Sequence, residues 1–299
     1  MLAEYVVPFR SFPIPFRLVG LGAIRGQPFT GGTQVTFLEV LVVALIQGLG
    51  EVLPLGAAGH LAALPNLAAT SEGRAALSVA AHAGTLLALM IYFWRDVLAM
   101  SVGLWRLAKG KPDYGSHLLL HVLAGTIPAA IAGWLLLERS HSLVGQTGAA
   151  VILIVGGVLL WGCDKLGVTV RRVEHMGFFS AVGLGVLQIL SLVPGVSRTG
   201  IIITAARLLG WERQAAVRFS MLLAMPLVLG HGIKTFWGLA HQSHLVLSAD
   251  LLMAAAVAGL ASLLGLAGMM AWVERNTFTP FAVVRIGFGL AVLGLVFFG

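Results

Sequence analysis

The chain has 299 residues, 58% of them hydrophobic and 10% charged, and its mean hydropathy is strongly positive. That leaves too little polar surface for a soluble domain of this size and puts the chain among polytopic membrane proteins. The net charge of +7 comes from basic residues scattered through loops rather than gathered on one face, which argues against a nucleic-acid partner and for anionic lipid headgroups.

Residues 1–33 carry Arg10, Arg17, Arg25, four prolines and only a short apolar patch. This fits neither a cleavable signal peptide nor a span; a flexible or interfacial extension is expected, ahead of a single membrane domain over 34–299. A helix needs roughly 20 apolar residues to cross a hydrocarbon core of about 30 Å. Segments at about 77–94, 118–137, 148–163, 215–238, 250–272 and 281–298 read as full spans. Their glycines and helix formers lack the alternation of barrel strands. Cys163, the single cysteine, ends the third of them; with no partner it implies neither a disulfide nor a thiolate metal site, and packing is its expected role.

Two stretches, 36–69 and 178–209, are too long for one span, too short for a comfortable pair, and broken at mid-length by Gly and Pro. A break at membrane depth frees backbone groups that lipid cannot satisfy, so such segments are expected to be re-entrant and buried in protein. They also resemble each other. IQGLGEVLPLGAAGH and LQILSLVPGVSRTG each place a Gln six or seven residues before a Pro and end in a small-residue turn, with a full span following. Paired interruptions of this kind point to a central site between two repeats. Arg95, Arg106, Lys109 and Lys111 after the first span, Lys165, Arg171 and Arg172 after the third, and Arg275 after the fifth assign those loops to the cytoplasm, whereas 239–249 has no Lys or Arg. The first hairpin then enters from outside and the second from the cytoplasm; the three N-terminal arginines run against this orientation. The expected fold is all-α and polytopic, with six full transmembrane helices plus two re-entrant broken helices arranged as inverted repeats.

Charges within a membrane cost about 2.5 to 3.5 kcal/mol each on insertion scales, so Glu51, His60 and Arg198 need a partner or a purpose. Glu51 and Arg198 could simply pair and hold the halves together. Against that reading alone, PGVSRTG at 194–200 surrounds the arginine with two hydroxyls and two glycines, so that a guanidinium, hydroxyl donors and exposed backbone N–H groups converge as phosphate binding requires.

These residues bring a family into view. The chain resembles the bacterial undecaprenyl-diphosphate phosphatases of the bacitracin-resistance type over about 36–298. HAGTLLALMIYFWRDV at 82–97, VLQILSLVPGVSRTG at 186–200, GWERQAAVRFSMLLAMPLVLG at 210–230 and FTPFAVVRIG at 278–287 follow the family's pattern. The resemblance implies a multi-pass enzyme of the bacterial inner membrane that removes a phosphate from the C55 polyprenyl diphosphate to recycle the lipid carrier of cell-wall synthesis. Its expected partners are that lipid, the membrane lipids and a second copy of the chain in a homodimer. It also implies that Arg198 clamps the diphosphate, that Ser197, Thr199 and the backbone at Gly195 and Gly200 complete the cradle, with Gln47 and Gly59 also at the substrate, and that His60 acts as acid or base. Glu51 would orient His60, hold a divalent cation such as Mg²⁺ or Ca²⁺, or position water. The first motif departs from the family's E-G-x-T-E-F-L-P-x-S-S-x-G-H: Gln47 replaces its first Glu, Gly50 its Thr, and Gly56 and Ala57 its two serines. The nucleophile or orienting hydroxyl assigned to those serines is missing, which leaves His60 or an activated water as attacking group. A transporter or binding paralogue carrying a polyprenyl phosphate without hydrolysis is the second reading.

The remaining polar residues support weaker expectations. His82 and Gln188 are read first as interhelical hydrogen-bonding groups and second as cavity residues. Arg285 is expected to pair with Glu274 or reach headgroups. The tryptophans at 94, 105, 211, 237 and 272 are expected at the membrane interface. The small residues of 254–268 suit either close packing or a lateral portal. His117, His121, His141, His231, His241 and His244 lack metal-ligand spacing.

Overall fold

Thr36 and Glu39 start the first helix by capping each other: the Thr36 hydroxyl accepts from the Glu39 N–H, and the Glu39 carboxylate accepts from the Thr36 N–H at 2.7 Å. In the computed structural model, which describes residues 36–62, 71–140, 144–241 and 248–298, this is α1 (Phe37–Val52). It stops because Leu53, ahead of Pro54, is pushed into an extended conformation. The chain turns at Gly56, whose φ is +85°, and returns as the short α2 (Ala57–Ala62). The expected extension at 1–33 lies outside the described residues.

The rest is helical in the expected order, with one addition. α3 (Ser71–Tyr92) breaks at Phe93 and is followed by α4 (Trp94–Ala108), then α5 (Tyr114–Ser140) and α6 (Gln146–Leu166). The second broken segment comprises α7 (Phe178–Gln188), a 3₁₀ turn (Ile189–Leu192), a bend at Gly195 with φ +96°, and α8 (Arg198–Leu208). α9 (Arg213–His241), α10 (Ala249–Val273) and α11 (Thr279–Phe298) complete the chain. Six of the described helices are long and apolar enough to cross a membrane. The chain is an all-α polytopic membrane protein.

α4 occupies what reads in the sequence as a basic loop. It is amphipathic: Asp96 and Gly103 are buried, whereas Leu98, Val102 and Trp105 are exposed. Arg95 lies over the Trp94 ring and Lys109 over the Trp105 ring. A 15-residue helix with one apolar exposed face and cations on aromatic rings suits the plane of the membrane interface better than its interior.

The two hairpins enter from opposite ends of the bundle. Val40 at the start of α1 shares a buried cluster with Leu77 and with Leu251 at the start of α10. The end of α8 lies at the other end, where Arg207 meets Asp164 of α6. Asp164 also accepts from Arg213 at the start of α9 and from the Phe278 N–H between α10 and α11. Asp96 pairs with Arg218 of α9, which brings α4 and its basic flank to this same end. The loops expected to share one side therefore do so, and the hairpins are inverted.

Small residues let the helices close on each other. A Cβ at Gly48 would lie 2.5 Å from the Ala258 carbonyl, and one at Gly84 would overlap the Ala255 backbone. The small residues of 254–268 thus serve packing of α10 against α1 and α3. Trp211 also departs from expectation: it is fully buried, packs on Phe219 and accepts from Arg207 through its carbonyl. Trp94, Trp105, Trp237 and Trp272 are exposed.

Candidate active site

The site is made where the two turns touch. A Cβ on Gly56 would be 3.4 Å from Ser197, and one on Gly59 only 2.9 Å from the Gly195 backbone, so the hairpins meet nearly backbone to backbone. Arg285, buried in α11, braces both turns: its guanidinium donates to the Pro54 carbonyl at 3.4 Å and the Gly195 carbonyl at 3.2 Å. It pairs with neither Glu274 nor headgroups. A cation behind two turns satisfies carbonyls that a broken helix leaves open.

Glu51, near the end of α1, forms an ion pair with Arg198, the first residue of α8. The Thr199 hydroxyl donates to the Glu51 carbonyl at 2.6 Å, tying the hairpins a second time. Ser197 caps α8, its oxygen accepting from the Gly200 N–H at 3.0 Å. Arg198 keeps its Nε without a hydrogen-bond partner among the described residues although the atom is buried.

The other Glu51 oxygen faces His82 of α3, whose Nε2 is 3.3 Å away. His82 Nδ1 lies 2.6 Å from the Ser78 carbonyl, which can only accept, so Nδ1 carries a proton and Nε2 is the nitrogen turned to the carboxylate. Gln47 donates to the Ser78 hydroxyl at 2.9 Å. A polar chain therefore runs Gln47, Ser78, His82, Glu51, Arg198 across α1, α3 and α8. His82 makes both an interhelical contact and a site contact, and Gln47 stands behind the site rather than in it.

These groups face a cavity of about 640 Å³. Glu51, Gly56, Ala57, Ser197, Arg198 and Thr199 line it at the hairpin side, and Ala129, Gly133, Trp134, Pro226, His231 and Lys234 line the wall supplied by α5 and α9. Gln188 also borders it, fully buried, with neither amide atom hydrogen-bonded among the described residues. The interhelical bond expected of Gln188 is thus not made.

Of the residues named from the sequence, Glu51, Ser197, Arg198 and Thr199 share the cavity wall. His60 does not: its Nδ1 is 2.9 Å from the Gly56 carbonyl and its ring stacks on Phe288 of α11 at 4.0 Å. The partner of Glu51 is His82 instead. Gly59 meets Gly195 where the turns cross, whereas a Cβ on Gly195 would run into the Ala149 carbonyl of α6 and one on Gly200, inside α8, into the Arg285 guanidinium. His231 was considered only as a metal ligand and Lys234 escaped the sequence reading; two ionisable residues one turn apart inside an apolar span were the available signal.

Both Glu51 oxygens are engaged, by Arg198 and by His82, and no group of three His, Cys, Asp or Glu suited to a metal occurs among the described residues. Mg²⁺ commonly takes about one or two protein carboxylates and completes its shell with waters and substrate phosphates.

Several known proteins are similar to the chain over most of its length. The chain is 84% identical over 265 residues to undecaprenyl-diphosphatase 1 of Paramagnetospirillum magneticum, covering 89% of this chain and 99% of that protein. It is 45% identical over 271 residues to undecaprenyl-diphosphatase 1 of Rhodospirillum rubrum, covering 88% and 96%. With the undecaprenyl-diphosphatase of Roseobacter denitrificans the identity is 38% over 267 residues, covering 87% and 98%. The family model described as bacitracin resistance protein BacA matches residues 40–291, and with both hairpins and the whole cavity inside that match, the chain belongs to this family.

Proposed function

We propose that the chain hydrolyses undecaprenyl diphosphate to the monophosphate and inorganic phosphate in the bacterial inner membrane, recycling the lipid carrier of cell-wall synthesis. The observation that carries this reading is the pairing of Arg198 with Glu51 on the wall of an intramembrane cavity, at the meeting point of two inverted hairpins. The lipid tail stays in the bilayer and only the headgroup has to reach the pair.

Arg198 has a buried Nε with no hydrogen-bond partner among the described residues and an Nη2 held by Glu51. When the terminal phosphate enters, its oxygens compete with Glu51 for the guanidinium, and the donors that bind it also stabilise charge on the transferring phosphoryl group. The released Glu51 carboxylate orients the attacking water and takes its proton, with His82 held in place by Ser78 as the second polar contact. The water oxygen bonds to the terminal phosphorus, the bond from that phosphorus to the bridging oxygen breaks, and the lipid monophosphate leaves as an anion. Neither position occupied by the family's serines carries a hydroxyl here, so water attack is the route these side chains support. A divalent cation, where required, is expected to arrive with the phosphates. A homodimer remains part of the proposal on family grounds alone. The transporter alternative draws no support from the relatives, which are named as diphosphatases.

The test is phosphate release from C55 polyprenyl diphosphate by purified protein in detergent, with Mg²⁺, with Ca²⁺ and with chelator. Turnover is expected in the native chain and a loss of about 100-fold or more in Arg198→Ala, the usual scale for removing a donor that stabilises transition-state charge. Absent turnover in the folded native chain under all three conditions would overturn the reading.

A further inference from the structure

The cavity has to accept an anion with several negative charges, yet its deepest cation is already matched, since Arg198 is paired with Glu51. Among the described lining residues the other lysine or arginine is Lys234. It lies on α9 one turn beyond His231, whose ring centroid is 5.2 Å from that of His82, the neighbour of Glu51. The Glu51–Arg198 pair is thus linked through His82, behind the wall, to His231 and to the stretch of α9 that carries Lys234.

The ammonium group is held in place. Lys234 Nζ lies 5.2 Å from the centroid of the Trp134 ring on α5 and donates to the Trp134 carbonyl at 3.4 Å. Trp134 and Trp237 are among the most exposed lining residues, which marks this as the mouth of the cavity. A lysine near the end of a span commonly stretches toward headgroups and anchors the helix. Lys234 is instead fixed across the gap between α5 and α9, at the opening through which a headgroup enters. A monophosphate can be satisfied by Arg198 alone; the second phosphate of a diphosphate, nearer the tail, needs its own cation.

Taking the substrate reading above as given, we propose that Lys234, braced by Trp134, binds the lipid-side phosphate and sets the preference of the cavity for a diphosphate over a monophosphate headgroup. Arg198 then serves the terminal phosphate and Lys234 the one that stays with the lipid.

The experiment measures equilibrium binding of C55 polyprenyl diphosphate and of C55 polyprenyl monophosphate to the detergent-solubilised full chain, native, Lys234→Met and Lys234→Arg, with turnover followed in parallel. The native chain is expected to favour the diphosphate, Lys234→Met to lower that preference about tenfold, and Lys234→Arg to retain most of it. An unchanged ratio in Lys234→Met, or equal weakening for both lipids, would overturn the proposal, because a mere helix anchor affects both alike. Native turnover with an unchanged ratio refutes the role of Lys234 and leaves the phosphatase reading standing. A native preference lost in Lys234→Met without any turnover does the reverse.

Discussion

Glu51 and Arg198 lie on hairpins 147 positions apart in sequence, and their pairing answers two needs at once. Each neutralises the other in a setting where an unmatched charge is costly, and together they place an exchangeable guanidinium on the cavity wall. The Gln188 amide has no such partner among the described residues. A buried amide with its hydrogen bonds unmade costs about 1–3 kcal/mol, a cost that a group reserved for a ligand or its water recovers only on binding. Gln188→Leu is therefore expected to leave thermal stability equal or slightly higher while lowering turnover about tenfold or more. Thermal unfolding and phosphate release measured on the same preparation check both halves; a stability loss without a catalytic one would make Gln188 a packing residue.

At the scale of the element, the hairpin turns determine which substitutions the first motif can accept. Gly56 adopts φ +85° while Ala57 begins α2 beside it. A side chain at a left-handed position costs about 1–3 kcal/mol, so Gly56→Ser is expected to lower the unfolding temperature although a Cβ has ordinary space toward Ser197. Ala57 has no such constraint and already lines the cavity. Ala57→Ser is expected to keep the native unfolding temperature and to raise phosphate release, because it returns a hydroxyl to the wall. Thermal unfolding of the two single variants separates backbone strain from chemistry, which the double variant would confuse.

Across the whole molecule, one carboxylate at the end opposite the cavity mouth gathers several helices. Asp164 receives Arg207 at 2.9 Å, Arg213 at 2.8 Å and the Phe278 N–H at 3.0 Å, uniting α6, α8, α9 and the start of α11. Arg207 is fully buried. Removing one partner of a buried pair leaves the other uncompensated, at about 3–5 kcal/mol. Asp164→Ala is expected to destabilise the folded protein on that scale and to reduce activity only in proportion to the folded fraction. Thermal unfolding in detergent, together with activity per folded molecule, checks this. A lower activity per folded molecule would mean that the fastening also sets the position of α8 at the site.

Composition and span length determined the membrane class, and the broken segments at 36–69 and 178–209 determined that two hairpins meet, because lipid leaves a free backbone group no other refuge. The arginine within PGVSRTG was legible for the same kind of reason: small, hydroxylated neighbours around a cation have few uses besides anions. Which histidine faces Glu51 was not legible, since His60 is the nearer in sequence and only the fold turns it toward Phe288 and brings the more distant His82 to the carboxylate. The same holds for Arg285, which reads as the start of a span but is drawn inward by the open carbonyls of two distant turns, and for α4, whose apolar face is interrupted too often to register as a span. Periodicity and composition are local, and they settle which elements form; the partner of a buried polar group depends on which helices pack around it, and only the tertiary structure decides that.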